Sequence, residues 1–257
     1  IYTQGIFMFK NIFSLCIILT TFSYSFINIE PPVIGEKEGL SGEVSLGAKY
    51  SSGNTDSRSA GLAVKGQYSE TEWLMYLISS YTYGETNDLK DTNDGQFHLR
   101  YVHSILDTTY DYEFFLQTEF NEFQDIKQRS LAGANIRKKL DLPFDKFYVA
   151  LGLFYSYTEP DTISTLDPTY RRIRMNSYVS FLKNINKNFS ITYLGFYQPN
   201  VEAFSDFRIS QILQLNTLIT NDLIFGFDIN HNYNATPYHQ IEKSDIRSTI
   251  NLRYKFK

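Results

Sequence analysis

Cysteine is almost missing: Cys16 is alone in 257 residues and lies in the apolar stretch near the N-terminus. A disulfide framework, a thiolate zinc site and thiol chemistry in an exported chain are excluded with it. Long apolar runs are equally scarce, since only Ile12 to Phe22 qualifies, and a bundle of membrane-spanning helices is therefore excluded. Charge has no strong sign. The 24 Lys and Arg against 28 Asp and Glu leave a net charge of -4 with no basic cluster, so a nucleic-acid partner is not expected. The four histidines, His98, His103, His231 and His239, show no metal-ligand spacing, and no cofactor motif accompanies them. Metal and cofactor residues are accordingly expected to be none.

Aromatic residues are what the chain has in excess, with 20 Tyr and 21 Phe beside a single Trp. Rings with an apolar body and a wet tip suit strands, and they suit the boundary between lipid and water. Met8-Phe9-Lys10-Asn11, the apolar run and Ser23-Tyr24-Ser25 have the order of a cleaved secretory signal. Residues 1–25 are thus expected to be upstream sequence plus signal peptide, 26–40 a periplasmic tether containing Pro31-Pro32, and 41–257 one domain.

From Ser41 onward, segments of about ten residues alternate apolar with polar or small. Phe147, Val149, Leu151, Leu153, Tyr155 and Tyr157 share one face, with Ala150, Gly152 and Ser156 on the other. In the last segment Ile246, Ile250, Leu252, Tyr254 and Phe256 oppose Arg247, Thr249, Asn251, Arg253 and Lys255. The same period predicts strands at 41–51, 57–68, 73–84, 94–105, 111–123, 128–140, 146–158, 169–182, 189–198, 205–218, 222–234 and 244–257. Turns such as Leu142-Pro143-Phe144-Asp145 and Thr220-Asn221-Asp222 leave no room for a crossover helix, so consecutive strands are predicted to be antiparallel neighbours. Strand length, aromatic residues at segment ends and export favour a membrane barrel over a soluble sandwich or secreted carrier. In hydrocarbon every backbone N–H and C=O needs an internal partner, which only closure gives a sheet. The predicted fold is an all-β, closed, antiparallel up-and-down transmembrane barrel of about twelve strands in a bacterial outer membrane.

Ser41-Gly42-Glu43-Val44-Ser45-Leu46-Gly47-Ala48 leading to Ser52-Gly53-Asn54-Thr55, then Tyr170-Arg171-Arg172-Ile173-Arg174-Met175-Asn176-Ser177-Tyr178, Gln198-Pro199 and Phe204-Ser205-Asp206-Phe207-Arg208 resemble the domain of unknown function 481 family, often labelled salt-induced outer membrane protein. The likeness runs from about Ser41 to Phe256. It implies an outer-membrane barrel, with a link to salt stress carried by the label alone, and brings no catalytic or binding residues. Lys257 follows Phe256 where an aromatic residue normally ends such a chain.

Alternation assigns Lys49, Lys65, Arg100, Arg172, Arg174, Arg208, Arg247 and Arg253 to the lumen, accompanied by Glu43, Glu113, Glu119 and Asp228. Ion pairs filling a narrow barrel are one reading of this set. A small pore with a weak anion preference is the other. Expected partners are outer-membrane lipids and lipopolysaccharide, the barrel-assembly machinery and small ions. The acidic loop residues Glu85, Asp88, Asp91, Asp94, Asp125, Glu159, Asp161, Asp167 and Glu202 suggest weak divalent binding that bridges to lipopolysaccharide, while Asp91-Thr92-Asn93-Asp94-Gly95 reads as a turn. No catalytic residue is assigned. The enzymatic alternative is a barrel hydrolase of envelope lipids, which needs Ser and His on neighbouring strands, on one face and at matched depth. His103-Ser104 fails that test because adjacent strand residues point to opposite faces.

Overall fold

The computed structural model describes residues 31–36, 38–51, 56–105, 108–162 and 167–256, without the side chains of 49–51. The signal segment and Cys16 lie outside the described residues. Twelve strands follow one another: β1 Gly39–Ser51, β2 Ser57–Ser69, β3 Trp73–Thr86, β4 Leu89–Ser104, β5 Tyr110–Asn121, β6 Ile126–Lys139, β7 Lys146–Pro160, β8 Tyr170–Asn184, β9 Phe189–Asn200, β10 Ala203–Leu218, β11 Leu223–Asn234 and β12 Ser244–Phe256. Each pairs antiparallel with the next, and β1 pairs with β12 from Gly42 opposite Phe256 to Leu46 opposite Leu252, so the barrel is closed and has no edge. Among the described residues no helix is long and apolar enough to cross a membrane.

Alternation becomes the two surfaces of the wall. Leu151, Leu153 and Tyr155 of β7 stand exposed on the outside while Tyr148, Ala150, Phe154 and Ser156 are buried inside. On β12, Ile246, Ile250, Leu252, Tyr254 and Phe256 face out, and Thr249, Asn251 and Arg253 face in. A soluble protein would hide those outer rows, whereas hydrocarbon is their natural solvent, so the fold is a transmembrane barrel. Even the strand count brings the start of β1 and the end of β12 to one end, called here the near mouth. The β1–β2, β3–β4, β5–β6, β7–β8, β9–β10 and β11–β12 connections ring the far mouth.

One expectation is corrected at the far mouth. Asp91-Thr92-Asn93-Asp94-Gly95 is strand, because β4 starts at Leu89 and the turn is Asn87-Asp88, with φ of 50° and 59°. Two consecutive left-handed residues match the twist of a tight hairpin, and the continuing ladder with β3 outweighs the turn preference of the following Asp and Asn.

Candidate functional site

The lumen is built by inward residues of all twelve strands, and a cavity of about 390 Å3 runs through it from Pro31 and Pro32 at the near mouth to Tyr238 and Lys243 at the far one. Two apolar clusters stand on its walls, Leu74–Tyr76–Val102 and Phe115–Leu131–Phe154. The reading of β7's inner face as small overlooks Tyr148 and Phe154. The remainder is polar, and its charges fall into three groups.

The first group centres on Glu113, which is buried and accepts hydrogen bonds from Tyr178 (2.8 Å) and Asn135 (3.0 Å). Arg100 approaches it at 3.5 Å and is enclosed by the rings of Tyr76, Phe115 and Tyr178. Arg137 pairs with Asp111 at 2.6 Å, lies 3.8 Å from Glu113 and stacks on Tyr148. Lys65 sits over Tyr76, with its ammonium 5.4 Å from the ring centre. The second group is at the β10–β12 wall, where Asp228 and Arg253 are 3.8 Å apart and fully buried. Gln214 donates to Asp228 at 3.0 Å, and Arg253 donates to Asn251 and Asn216. Glu43 of β1 is buried as well.

The third group occupies the far half. Arg129 holds Glu119 at 2.7 Å, Arg174 and Arg172 share Asp206 at 2.7 and 3.1 Å, and Arg247 bridges Asp245 and Asp94 at 2.6 and 3.2 Å. Arg172 also lies flat on Tyr170, 3.8 Å from the ring centre. Arg208 lines the cavity beside them and forms no salt bridge among the described residues, and its Nε is buried without an acceptor. Arg129, Arg174, Arg172 and the carboxylate of Glu119 are among its charged surroundings. An arginine cannot shed its proton, so this charge stays on the lumen wall without a direct ion-pair partner among the described residues.

Of the residues assigned to the lumen, the side chain of Lys49 lies outside the described residues. The others meet in these three groups. Arg129, Arg137, Asp111 and Asp206 were missed. Both Arg137 and Asp206 were readable, since outward Ile136 puts Arg137 inside and Asp206 stands two positions from inward Arg208. The tether was expected merely to be extended, yet its last residues are docked in the near mouth. The Pro32 carbonyl accepts from Arg137 at 3.0 Å, Ile34 packs on the Leu74–Tyr76–Val102 cluster, and Glu36 pairs with Lys146 at 2.6 Å.

Part of the acidic rim is engaged in ion pairs. Glu85 is held by Arg58, Glu122 by Lys90 and Glu159 by Lys127, and no group of three or more metal-competent side chains occurs among the described residues. Bonds from Asn93 and Lys90 hold the Glu122 carboxyl below the usual carboxylate range, so its charge is already engaged.

The COG4313 outer membrane channel of Pseudomonas putida F1 superposes with a TM-score of 0.52 at 8% identity, over 91% of this chain and 100% of that one. The NanC porin (TM-score 0.45, 15% identity, 85% and 100% covered) and the KdgM porin (0.45, 9%, 85% and 99%) are more distant in shape. These likenesses bear on the fold. No curated protein matches the sequence. The model of the family described as "Protein of unknown function, DUF481" matches residues 44–256, and the chain belongs to that family.

Proposed function

We propose that this chain is a narrow outer-membrane channel that passes small ions with a mild preference for anions. The observation that carries the reading is Arg208, which forms no salt bridge among the described residues, on a cavity that touches both mouths. Its volume is about 390 Å3 and its lining is largely polar and charged. That suits a hydrated ion rather than a bulky solute. Lumen charges set ion selectivity, and here Arg208 forms no salt bridge among the described residues while Arg172 and Arg174 share the single carboxylate of Asp206, which leaves this stretch of the far half locally positive. The near mouth would face the periplasm and the far mouth the cell exterior, with lipopolysaccharide against the outer aromatic residues. A contribution to envelope permeability under ionic stress fits such a pore.

Planar-bilayer recording tests this. Discrete conductance steps are expected, with a reversal potential on the anion side in a salt gradient, and Arg208→Gln moves that potential toward the cation side. Inserted, heat-modifiable barrels that stay silent would leave a purely structural role, and a cation-leaning reversal potential would sink the preference.

A further inference from the structure

The outer wall at the far rim carries a row of polar side chains where apolar ones belong. Along the outward face of β10 the order is Phe207, Ile209, Gln211, Leu213, and along β11 it is Ile229, His231, Tyr233, with Ser244 and Ile246 beginning β12. Register places Gln211 directly opposite His231, and Ser244 one diagonal step away, opposite Tyr233. Polar groups facing lipid are costly, so a connected set of them calls for a reason.

The connections are specific. Ser244 Oγ lies 3.0 Å from His231 Nε2, and the Gln211 side-chain amide lies 3.4 Å from Nδ1 of the same ring. The Tyr193 hydroxyl donates to the other end of that amide at 3.1 Å. Tyr193 reaches it because Gly195, opposite Gln211 in the ladder, has no side chain: a Cβ there would collide with the Tyr193 hydroxyl and ring. Four strands and one glycine thus set a serine, an imidazole and an amide in a line. A half-turn of the amide, which exchanges two atoms of nearly equal shape, brings Oε1 to Nδ1 and turns its N–H groups toward Tyr193. The ring then carries its proton on Nδ1 and offers the Nε2 lone pair to Ser244.

We propose that Ser244 and His231 form an acyl-transfer site on the lipid-facing wall, positioned by Gln211 and Tyr193, that hydrolyses carboxylic esters of membrane lipids. The substrate class follows from the place. The site opens onto the bilayer beside Tyr197, Phe207 and Tyr233, whose rings pack at 5.7 and 5.5 Å, and interfacial rings mark the depth at which lipid ester groups lie. In the first step Ser244 Oγ attacks the ester carbonyl carbon and passes its proton to His231 Nε2, while the carbonyl π pair moves onto oxygen. Collapse breaks the carbon–oxygen bond to the alcohol, which leaves with the proton from His231. Water then attacks the acyl-serine with His231 taking its proton, and the carboxylic acid departs as Ser244 recovers the proton. The net change is ester plus water to acid plus alcohol, without any oxidant or metal.

This inference stands apart from the channel reading, since it uses the outer wall and not the lumen. The test uses the purified full-length barrel, with folding verified by heat-modifiable migration. Three arms receive p-nitrophenyl acyl ester in micelles, phosphatidylethanolamine vesicles or purified lipopolysaccharide, and a fluorophosphonate probe is added separately. Turnover of the micellar ester and covalent labelling of Ser244 are expected, and release of fatty acid from one of the two lipid arms identifies the source. Ser244→Ala should abolish labelling and turnover, and His231→Asn should lower the rate by roughly 10²–10⁴-fold. Gln211→Ala should move the pH–rate profile rather than only reduce its height, as expected of a positioning residue, and Gly195→Ala should act in the same direction. Folded wild-type barrel that neither hydrolyses the ester nor takes the probe would overturn the proposal, as would activity that survives in Ser244→Ala.

Discussion

In the near half of the lumen Arg253 and Asp228 lie 3.8 Å apart with neither side chain exposed, whereas in the far half Arg247 binds Asp94 and Asp245 with side chains still 18–35% exposed. The near half also holds Arg137 against Asp111 and is covered by Pro32, Ile34 and Glu36. The far half keeps an arginine, Arg208, that forms no salt bridge among the described residues. A buried pair is retained only if both charges are answered, because either alone bears its full desolvation cost. The far half is mixed, since Arg174 and Asp206 are buried there and Arg208 Nε is buried without an acceptor, while the Arg247 cluster stays partly exposed and makes a weaker demand on its partners. The contrast separates a part of the lumen that holds the barrel together from a part free to act on passing ions.

The strongest way to break this comparison is to remove one partner from each half. Arg253→Leu strands Asp228 and should cost about 3–5 kcal/mol. Arg247→Leu should cost roughly 1 kcal/mol or less. Urea titrations followed by heat-modifiable migration measure both, and equal losses would erase the distinction. Phe154→Ala on the inner wall should likewise cost about 3–5 kcal/mol by opening a cavity beside Phe115 and Leu131.

Deleting residues 31–36 sharpens the comparison from the near side. Unit conductance should rise by more than Arg208→Gln changes it, and stability should fall less than in Arg253→Leu. The Arg208→Gln variant should be nearly neutral in the urea titration, since it removes a charge without a direct ion-pair partner among the described residues and creates little empty space. An effect on stability as large as that of Arg253→Leu would mean that Arg208 is structural.

The smallest expected effect is at the far mouth. The Tyr238 hydroxyl is pushed up to about 12, chiefly by burial and then by Tyr170 stacked on it. The neutral phenol is favoured by folding, so this stabilisation is complete below pH 10 and is lost as pH rises toward 12. Tyr238→Phe should flatten the fall in thermal stability over that window, and an unchanged slope would show that the group titrates as it does in the unfolded chain.

Strand positions were legible because the period of two is local: each apolar residue must face lipid wherever its strand sits, and ten-residue segments repeat the instruction. Predicted and observed strands accordingly agree along the whole barrel, and β4 alone starts five residues early, where Asn87-Asp88 took the turn. Lumen membership was legible for the same reason in Arg100, Arg174 and Arg253. It was overlooked at Asp206, which alternation places inside with Arg208 two positions on, and at Phe154, where a large ring occupies a position between small neighbours.

Alternation gave about twelve strands from the sequence by itself, and segment length, aromatic residues at segment ends and the export signal pointed from there to a closed transmembrane barrel. Which charge meets which was decided only by tertiary structure. Arg137 finds the Pro32 carbonyl across 105 positions, and Arg247 finds Asp94 across 153. Such pairs depend on barrel diameter and on the accumulated stagger of twelve registers, quantities that no individual strand contains. The same holds for Tyr193, Gln211, His231 and Ser244, which become neighbours only when β9 to β12 are laid side by side.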